Sequence, residues 1–412
     1  MYGASMHRFS SLLKTDFPQA AKRPPWILLI IIFSQFTGTS LWFASNAVLG
    51  DLQQVWGLGG DALGYMTSAV QLGFIVGTLG FAFFAISDRF SPRIVFFVSS
   101  ILGAVSNLGI YLFTDGLSSL LVFRFITGLF LAGIYPVGMK IAAGWYQKDL
   151  GNAIGFLVGA LVLGTSFPHL LKGLGQNLTW ETVTLSVSLT AAVGGLAMLL
   201  LVPDGPHLSK GTSFDPKALA IIFKSRLFRS SAFGYFGHMW ELYTLWAFVP
   251  FVLTMYVAQN SLSTLNISFW AFAIIAAGSI GCALGGLISL RVGSTRVAYA
   301  QLLSSGICCL ISPLLFYASP PVFLGFLLFW GIVVVGDSPQ FSALNAQYAP
   351  KELVGSALTI VNSIGFAITI VSIQLINYLS SIIDVSYLFL PLTIGPVLGL
   401  TALMPLMRAA RV

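Results

Sequence analysis

Tyr146-Gln147-Lys148-Asp149-Leu150-Gly151-Asn152-Ala153 returns about 200 residues later as Tyr348-Ala349-Pro350-Lys351-Glu352-Leu353-Val354-Gly355-Ser356-Ala357. Asp88-Arg89 likewise returns as Leu290-Arg291. Each copy is a short polar break between long apolar runs. A chain that repeats its loops at this distance is built from two similar halves, and internal repeats of this kind are how many membrane carriers are assembled.

Working outward from the two copies, twelve apolar runs fill the chain, at 26–48, 62–86, 93–112, 117–140, 151–173, 183–203, 228–256, 264–289, 297–317, 321–346, 354–378 and 385–407. Only 8% of residues are charged and 57% are hydrophobic. Runs of about 20 apolar residues cross roughly 30 Å of hydrocarbon as helices, and in lipid the backbone must satisfy its own hydrogen bonds. The expectation is therefore an all-α membrane protein of twelve transmembrane helices, in two six-helix bundles related by pseudo-twofold symmetry. Its domains are a cytoplasmic tail at 1–25, a bundle at 26–203, a linker at 204–227 and a bundle at 228–408. Residues 7–18 read equally as a surface helix or an unstructured tail.

The net charge of +7 reports topology. Eighteen of the 20 Lys and Arg fall on one side of the spans, whereas Lys172 faces Asp51, Asp61, Asp115, Glu181 and Asp384 on the other. This positive-inside pattern places both termini in the cytoplasm of a multi-pass protein, expected in a bacterial inner membrane. It leaves no basic patch for nucleic acid. Cys282, Cys308 and Cys309 lie within apolar runs and read as packing residues. There is no GxxxxGK[ST] phosphate loop, no HExxH and no Cys/His metal spacing, so no cofactor or metal is expected and an enzyme is disfavoured. Asn177-Leu178-Thr179 is a glycosylation sequon that matters only in a secretory compartment.

Ionisable groups at membrane depth cost roughly 2.5–3.5 kcal/mol each on insertion scales, so each needs a reason. Arg124, His238, Glu241 and Asp337 stand out. His238 and Glu241 share a helix face three residues apart. Glu241 and Asp337 are the proton-coupling candidates, with His238 as a relay, because a carboxylate whose surroundings alternate between apolar and wet exchanges its proton. The alternative is a static network that locks helices together. Arg124 stays charged in every state and pairs an anionic substrate, an acid or the carbonyls of neighbouring spans.

Neutral polar and aromatic groups complete a candidate pathway. Gln35, Thr39, Trp42 and Asn46 form a stripe along span 1, joined by Gln71, by Trp240, Tyr243 and Trp246 of span 7, and by Asn362 and Ser363 of span 11. Substrate contact is expected at Arg124, Gln35, Trp42, Gln71, Trp240 and Tyr243. Trp246 reads equally as an interfacial anchor, and His169 beside Pro168 as interfacial. Glycines at 73, 77 and 80 in span 2, at 151, 155, 159 and 164 in span 5 and at 278, 281, 285 and 286 in span 8 suggest a sliding surface between bundles or ordinary close packing. Pro136 and Pro339 sit at matching places in spans 4 and 10, leaving the carbonyls of Ala132 and Val335 without helical partners.

Arg124 with Gly128 and Gly133 is similar to the fourth-span motif of the major facilitator superfamily. Asp88-Arg89-Phe90-Ser91-Pro92-Arg93 resembles that family's signature loop, with Phe84 and Ser91 where the family has glycine. In the second half Gly286, Arg291 and Gly293 fit and Leu290 replaces the acid. The resemblance covers 26–408. It implies a secondary transporter working by alternating access, with Asp88, Arg89, Arg93 and Arg291 in a conformational latch and Asp88 at a helix N-terminus. Span 5 lacks the Gly-Pro pair of many proton-exchanging members. The expected function is proton-coupled movement of a small organic solute or anion by a monomer, its partners being lipid, substrate and protons. Proton-driven efflux of amphipathic compounds is the alternative, and a non-transporting membrane sensor is the reading from another class.

Overall fold

Apolar runs bounded by capping residues become helices, and the computed structural model shows which ones break. It describes residue 24 and residues 26–146, 150–175, 178–208, 215–262 and 265–409. The tail at 1–23, the loop residues Gln147, Lys148 and Asp149, the sequon's Asn177 and part of the linker lie outside these. Among the described residues every regular element is helical. Span 2 is Ala62–Phe83, span 3 Pro92–Phe113, span 5 Leu150–Leu174 and span 6 Trp180–Leu201. Span 7 is Arg226–Gln259, span 8 Ile267–Val292, span 9 Ser294–Leu315 and span 11 Val354–Leu379. Span 12 ends in Ile394–Ala409, after the turns Val385–Tyr387 and Leu390–Thr393. Thr179, Ser225 and Asn266 start spans 6, 7 and 8 by accepting from the backbone N–H three residues on. Among the described residues eleven helical spans, with 4, 10 and 12 each taken whole, are long and apolar enough to cross a membrane, and Trp26–Thr39 is a shorter apolar helix.

Three spans are broken. Spans 4 and 10 break where the prolines predict, into Leu117–Leu131 with Tyr135–Trp145 and Pro320–Val335 with Ser338–Tyr348. The freed carbonyl of Val335 accepts from the Cys282 thiol of span 8 at 3.5 Å. Span 1, expected as one helix over 26–48, instead runs Trp26–Thr39, Ala44–Ala47 and Leu49–Trp56. No proline causes this. Thr37, Thr39 and Ser40 turn their hydroxyls back onto the carbonyls of Ser34, Gln35 and Thr37 at 2.6–3.0 Å, a competition with the helical ladder that bends helices.

The same packing scheme appears twice. Span 1 lies against spans 5 and 6, span 2 against span 4, and span 3 against spans 4 and 6; six spans later, 7 meets 11 and 12, 8 meets 10, and 9 meets 10 and 12. The bundles meet through spans 2 and 11 and through spans 5 and 8, which exchange under the same operation. Gly73, Gly77 and Gly281 pack inside their own bundles, which corrects the sliding-surface reading for these positions, whereas Gly278 lies between Val335 of its own bundle and Val162 of span 5. A Cβ on Gly73 would lie 1.9 Å from the carbonyl oxygen of Phe125, and one on Gly128 2.0 Å from that of Val70. Span 8 crosses span 10 in the same way, Gly281 against Ile332 and Gly331 against Ile274. Span 5 does face the other bundle, with Gly155 and Gly159 opposite Cys282 and Ser279 at looser distances of 3.7–3.8 Å.

The crossings predict that Gly128→Ala and Gly281→Ala each force two backbones apart. Thermal unfolding in detergent should show both variants less stable by about 1–3 kcal/mol, the usual cost of overpacking, while Gly80→Ala, with open space around it, stays at the wild-type value.

Candidate functional site

The break in span 1 exposes the carbonyls of Leu41 and Trp42 to the middle of the first bundle. Arg124 of span 4 lies opposite, with no solvent exposure. One guanidinium nitrogen donates to Leu41 O at 3.0 Å and the other terminal nitrogen donates to Trp42 O. Of the partners open to Arg124 on sequence grounds, the structure brings it to carbonyls. A planar fork of donors suits two successive carbonyls, and a permanent cation at this depth is compensated by their dipoles.

Fixing the break also fixes Trp42, which projects from it to the junction of the bundles. Its indole N–H donates to Oε1 of Gln71 at 3.3 Å. Its ring stacks on Tyr243 of span 7 (5.5 Å, 29°) and on Phe366 of span 11 (5.6 Å, 22°), both from the other bundle. Phe74 closes on Trp42 and Phe366 from span 2. Trp246, one turn beyond Tyr243, packs edge-on against Tyr243 and Phe43 and is fully buried, so it is a junction residue and not an interfacial anchor. The sequence signal was its three-residue spacing from Tyr243.

Trp42, Gln71 and Tyr243 thus come together. Gln35 does not join them: its amide is buried over Gly138, whose added Cβ would lie 2.0 Å from Gln35 Oε1, and it points within its own bundle. Trp240 also turns inward, donating to Pro391 O at 3.3 Å. Asn46 donates to Thr67 Oγ1 at 2.8 Å.

The ionisable residues of span 7 face the interior of the second bundle. Nδ1 of His238 lies 2.8 Å from Oδ1 of Asp337 in the break of span 10, an ion-pair distance that does not meet hydrogen-bond geometry. Glu241 Oε2 accepts from the Cys309 thiol of span 9 at 3.2 Å. All three are fully buried. Charges so placed must be paired or protonated, and the sequence did not reveal Cys309 as a neighbour of this cluster. His169, also expected at the interface, is buried within span 5.

At the linker end of the first bundle, Asp88 Oδ1 lies 2.5 Å from Lys140 Nζ, which also donates to Ser87 O. Lys140 was not singled out in the sequence; the chain reversal between spans 2 and 4 brings it there. Arg93 is buried, whereas Arg89 and Arg291 are exposed. At the opposite end the bundles are stitched together. Asn377 donates to Asp61 O and accepts from Gly64 N–H, Gln374 donates to Ser68 Oγ at 2.7 Å, and Asn266 donates to Gly173 O at 2.7 Å. Among the described residues no group of three or more His, Cys, Asp or Glu is placed to hold a metal.

A sequence profile of the Major Facilitator Superfamily matches residues 28–373. The chain belongs to that superfamily. Among similar members, a D-galactonate transporter of Escherichia coli O6:H1 is 27% identical over 206 residues, 48% of this chain and 46% of the relative. A probable galactarate/D-glucarate transporter of Bacillus subtilis is 26% identical over 282 residues, covering 62% and 59%. A glycerol-3-phosphate transporter of Bacillus subtilis is 22% identical over 383 residues, covering 84% of each. The match to the first two superfamily members thus spans about half of their length.

Arg124 carries the geometry of the first bundle, so its removal has a defined cost. Arg124→Leu leaves two buried carbonyls unpaired, at about 1–3 kcal/mol each. Scanning fluorimetry should rank stability as wild type, then Arg124→Lys, then Arg124→Leu, because one ammonium cannot reproduce the fork.

Proposed function

We propose that this chain is a secondary active transporter that moves a small organic solute by alternating access, with the proton as coupling ion. One observation carries the reading. His238, Glu241 and Tyr243 lie within two turns of one helix, the first two facing the second bundle's interior and the third the junction. A protonation change and a solute contact therefore act on the same rigid body. The stitching of spans 2 to 11 and 5 to 8 at one end supports a conformation closed on that side.

The superfamily members named above carry sugar acids and a glycerol phosphate in their names, so small hydroxylated acids are the first substrates to test. The Lys and Arg distribution supports a cytoplasmic linker face in a bacterial inner membrane, and a monomer suffices for the mechanism. The aromatic junction of Trp42, Phe74, Tyr243 and Phe366 favours a second reading, proton-driven efflux of amphipathic compounds.

Uptake into proteoliposomes with and without an imposed pH gradient separates these readings. An inwardly directed proton gradient drives accumulation if solute and proton move together, and expulsion if they exchange. Glu241→Gln and Asp337→Asn should each reduce gradient-driven flux to the level without a gradient. Flux indifferent to the gradient in wild type and intact in both variants contradicts the coupling, and solute binding without flux points to a sensor.

A further inference from the structure

The last part of the linker sets apolar and basic side chains side by side. Its short helix Ala218–Ile222 buries Ala218 and Ile222. Just before it, the Asp215 N–H donates to Ser356 Oγ at 3.1 Å, which ties the segment to the start of span 11. Leu219 and Ile221 are left 50% and 43% exposed. Residues 216–240 contain Lys217, Lys224, Arg226 and Arg229 and no acid. All four cations are exposed, and Lys217, Lys224 and Arg226 form no ion pair among the described residues. Arg229 folds back to donate to the carbonyls of Phe223 and Lys224, at 2.7 and 3.1 Å, and so fixes the turn into span 7. The aromatic rings give the depth of this segment. Phe223 lies 6.3 Å from Phe233, an exposed ring on the outer surface of span 7. Phe233 is two helical turns beyond Arg226, about 10 Å at the helical rise. The cations therefore sit one headgroup layer above a ring that meets acyl chains. Exposed leucine and isoleucine among such cations is the composition of a helix that rests in a bilayer surface.

We propose that the linker helix is a docking site for an anionic phospholipid, with the headgroup phosphate held by Lys217, Lys224 and Arg226. The upper part of the acyl chains packs on Leu219, Ile221 and Phe233. Charge decides which lipid is taken. A zwitterionic headgroup carries its own cation, which the basic cluster repels, whereas a headgroup of net negative charge meets no acid between residues 216 and 240. The lipid then acts as a pin. It holds the linker against the membrane at the point where Arg229 and the Asp215–Ser356 hydrogen bond already fasten it to spans 7 and 11. The site is remote from the aromatic junction and requires no solute, so it stands apart from the transport reading.

Fluorescence quenching in nanodiscs of the full chain tests it. Ile221→Cys is labelled with a bimane, since Cys282, Cys308 and Cys309 are buried. The discs are made of dioleoylphosphatidylcholine mixed with either phosphatidylglycerol or phosphatidylcholine that carries brominated acyl chains. Brominated phosphatidylglycerol should quench with an affinity at least about tenfold above that of brominated phosphatidylcholine, as expected for several cations near one surface. Adding Lys217→Gln, Lys224→Gln and Arg226→Gln together should bring the two lipids level. Lys224→Gln alone should reduce the preference by about fivefold, the usual worth of one such cation. Thermal unfolding near the wild-type value shows that the variants are folded. A label at Leu290→Cys, beside the single cation Arg291, should show a smaller preference. Inorganic phosphate should relieve quenching no more than sodium chloride of matched ionic strength. No quenching by either lipid, equal quenching by both, a preference that survives the triple change, the same preference at Leu290, or specific relief by phosphate overturns the assignment.

Discussion

A broken helix inside a membrane needs donors for the carbonyls it frees, and Arg124 supplies them to span 1. The guanidinium reaches Leu41 and Trp42, 83 and 82 residues earlier in the chain, and turns a backbone defect into a fixed corner. The corner sets Trp42, and Trp42 sets the junction with Tyr243 and Phe366. Without the fork the two carbonyls have no comparable partner, since lipid offers none. The second bundle meets the same constraint with other residues. Its break in span 10 gives the Val335 carbonyl to a thiol and leaves Asp337 facing His238.

This difference divides the work between the halves. Beside the break in the first bundle lies Arg124, whose charge does not change, and beside that in the second lie Asp337 and His238, whose charges can. A duplicated scaffold has kept its helix contacts, with glycine crossings between spans 2 and 4 and between spans 8 and 10, while its buried polar groups have diverged. Those crossings leave little freedom inside a bundle, because backbone meets backbone where a Cβ would be only about 2 Å from a carbonyl oxygen. Span 5 meets span 8 more loosely at Gly155 and Gly159, and closely again at its end, where a Cβ on Gly173 would lie 2.7 Å from the backbone nitrogen of Phe269.

Much of the fold was legible because membrane helices announce themselves by length and composition, and Pro136 and Pro339 announced two of the breaks. The break in span 1 was not read, although Thr37, Thr39 and Ser40 carry its cause, since hydroxyl back-bonding depends on rotamers that a sequence leaves open. The ionisable residues were found because charge in lipid is rare. Their partners were not: Cys309 lies 68 residues from Glu241 and Lys140 lies 52 from Asp88. Helical spacing brought out the Gln35 stripe, yet Gln35 points into its own bundle, because a stripe on a helix buried on several sides does not say which neighbour it meets. Trp246 was legible both as a pathway residue and as an anchor, and its packing against Tyr243 and Phe43 takes the first reading, while His169 is covered by protein near the end of span 5.

The central claim is that the two bundles separate at the end where spans 2 and 11 are stitched together. Ser68→Cys with Gln374→Cys, joined by a short bis-methanethiosulfonate linker, tests it most directly, because Cys282, Cys308 and Cys309 are buried from the reagent. Solute flux in proteoliposomes should stop when the linker is in place and return on reduction. Full flux with the bundles tethered would contradict the account.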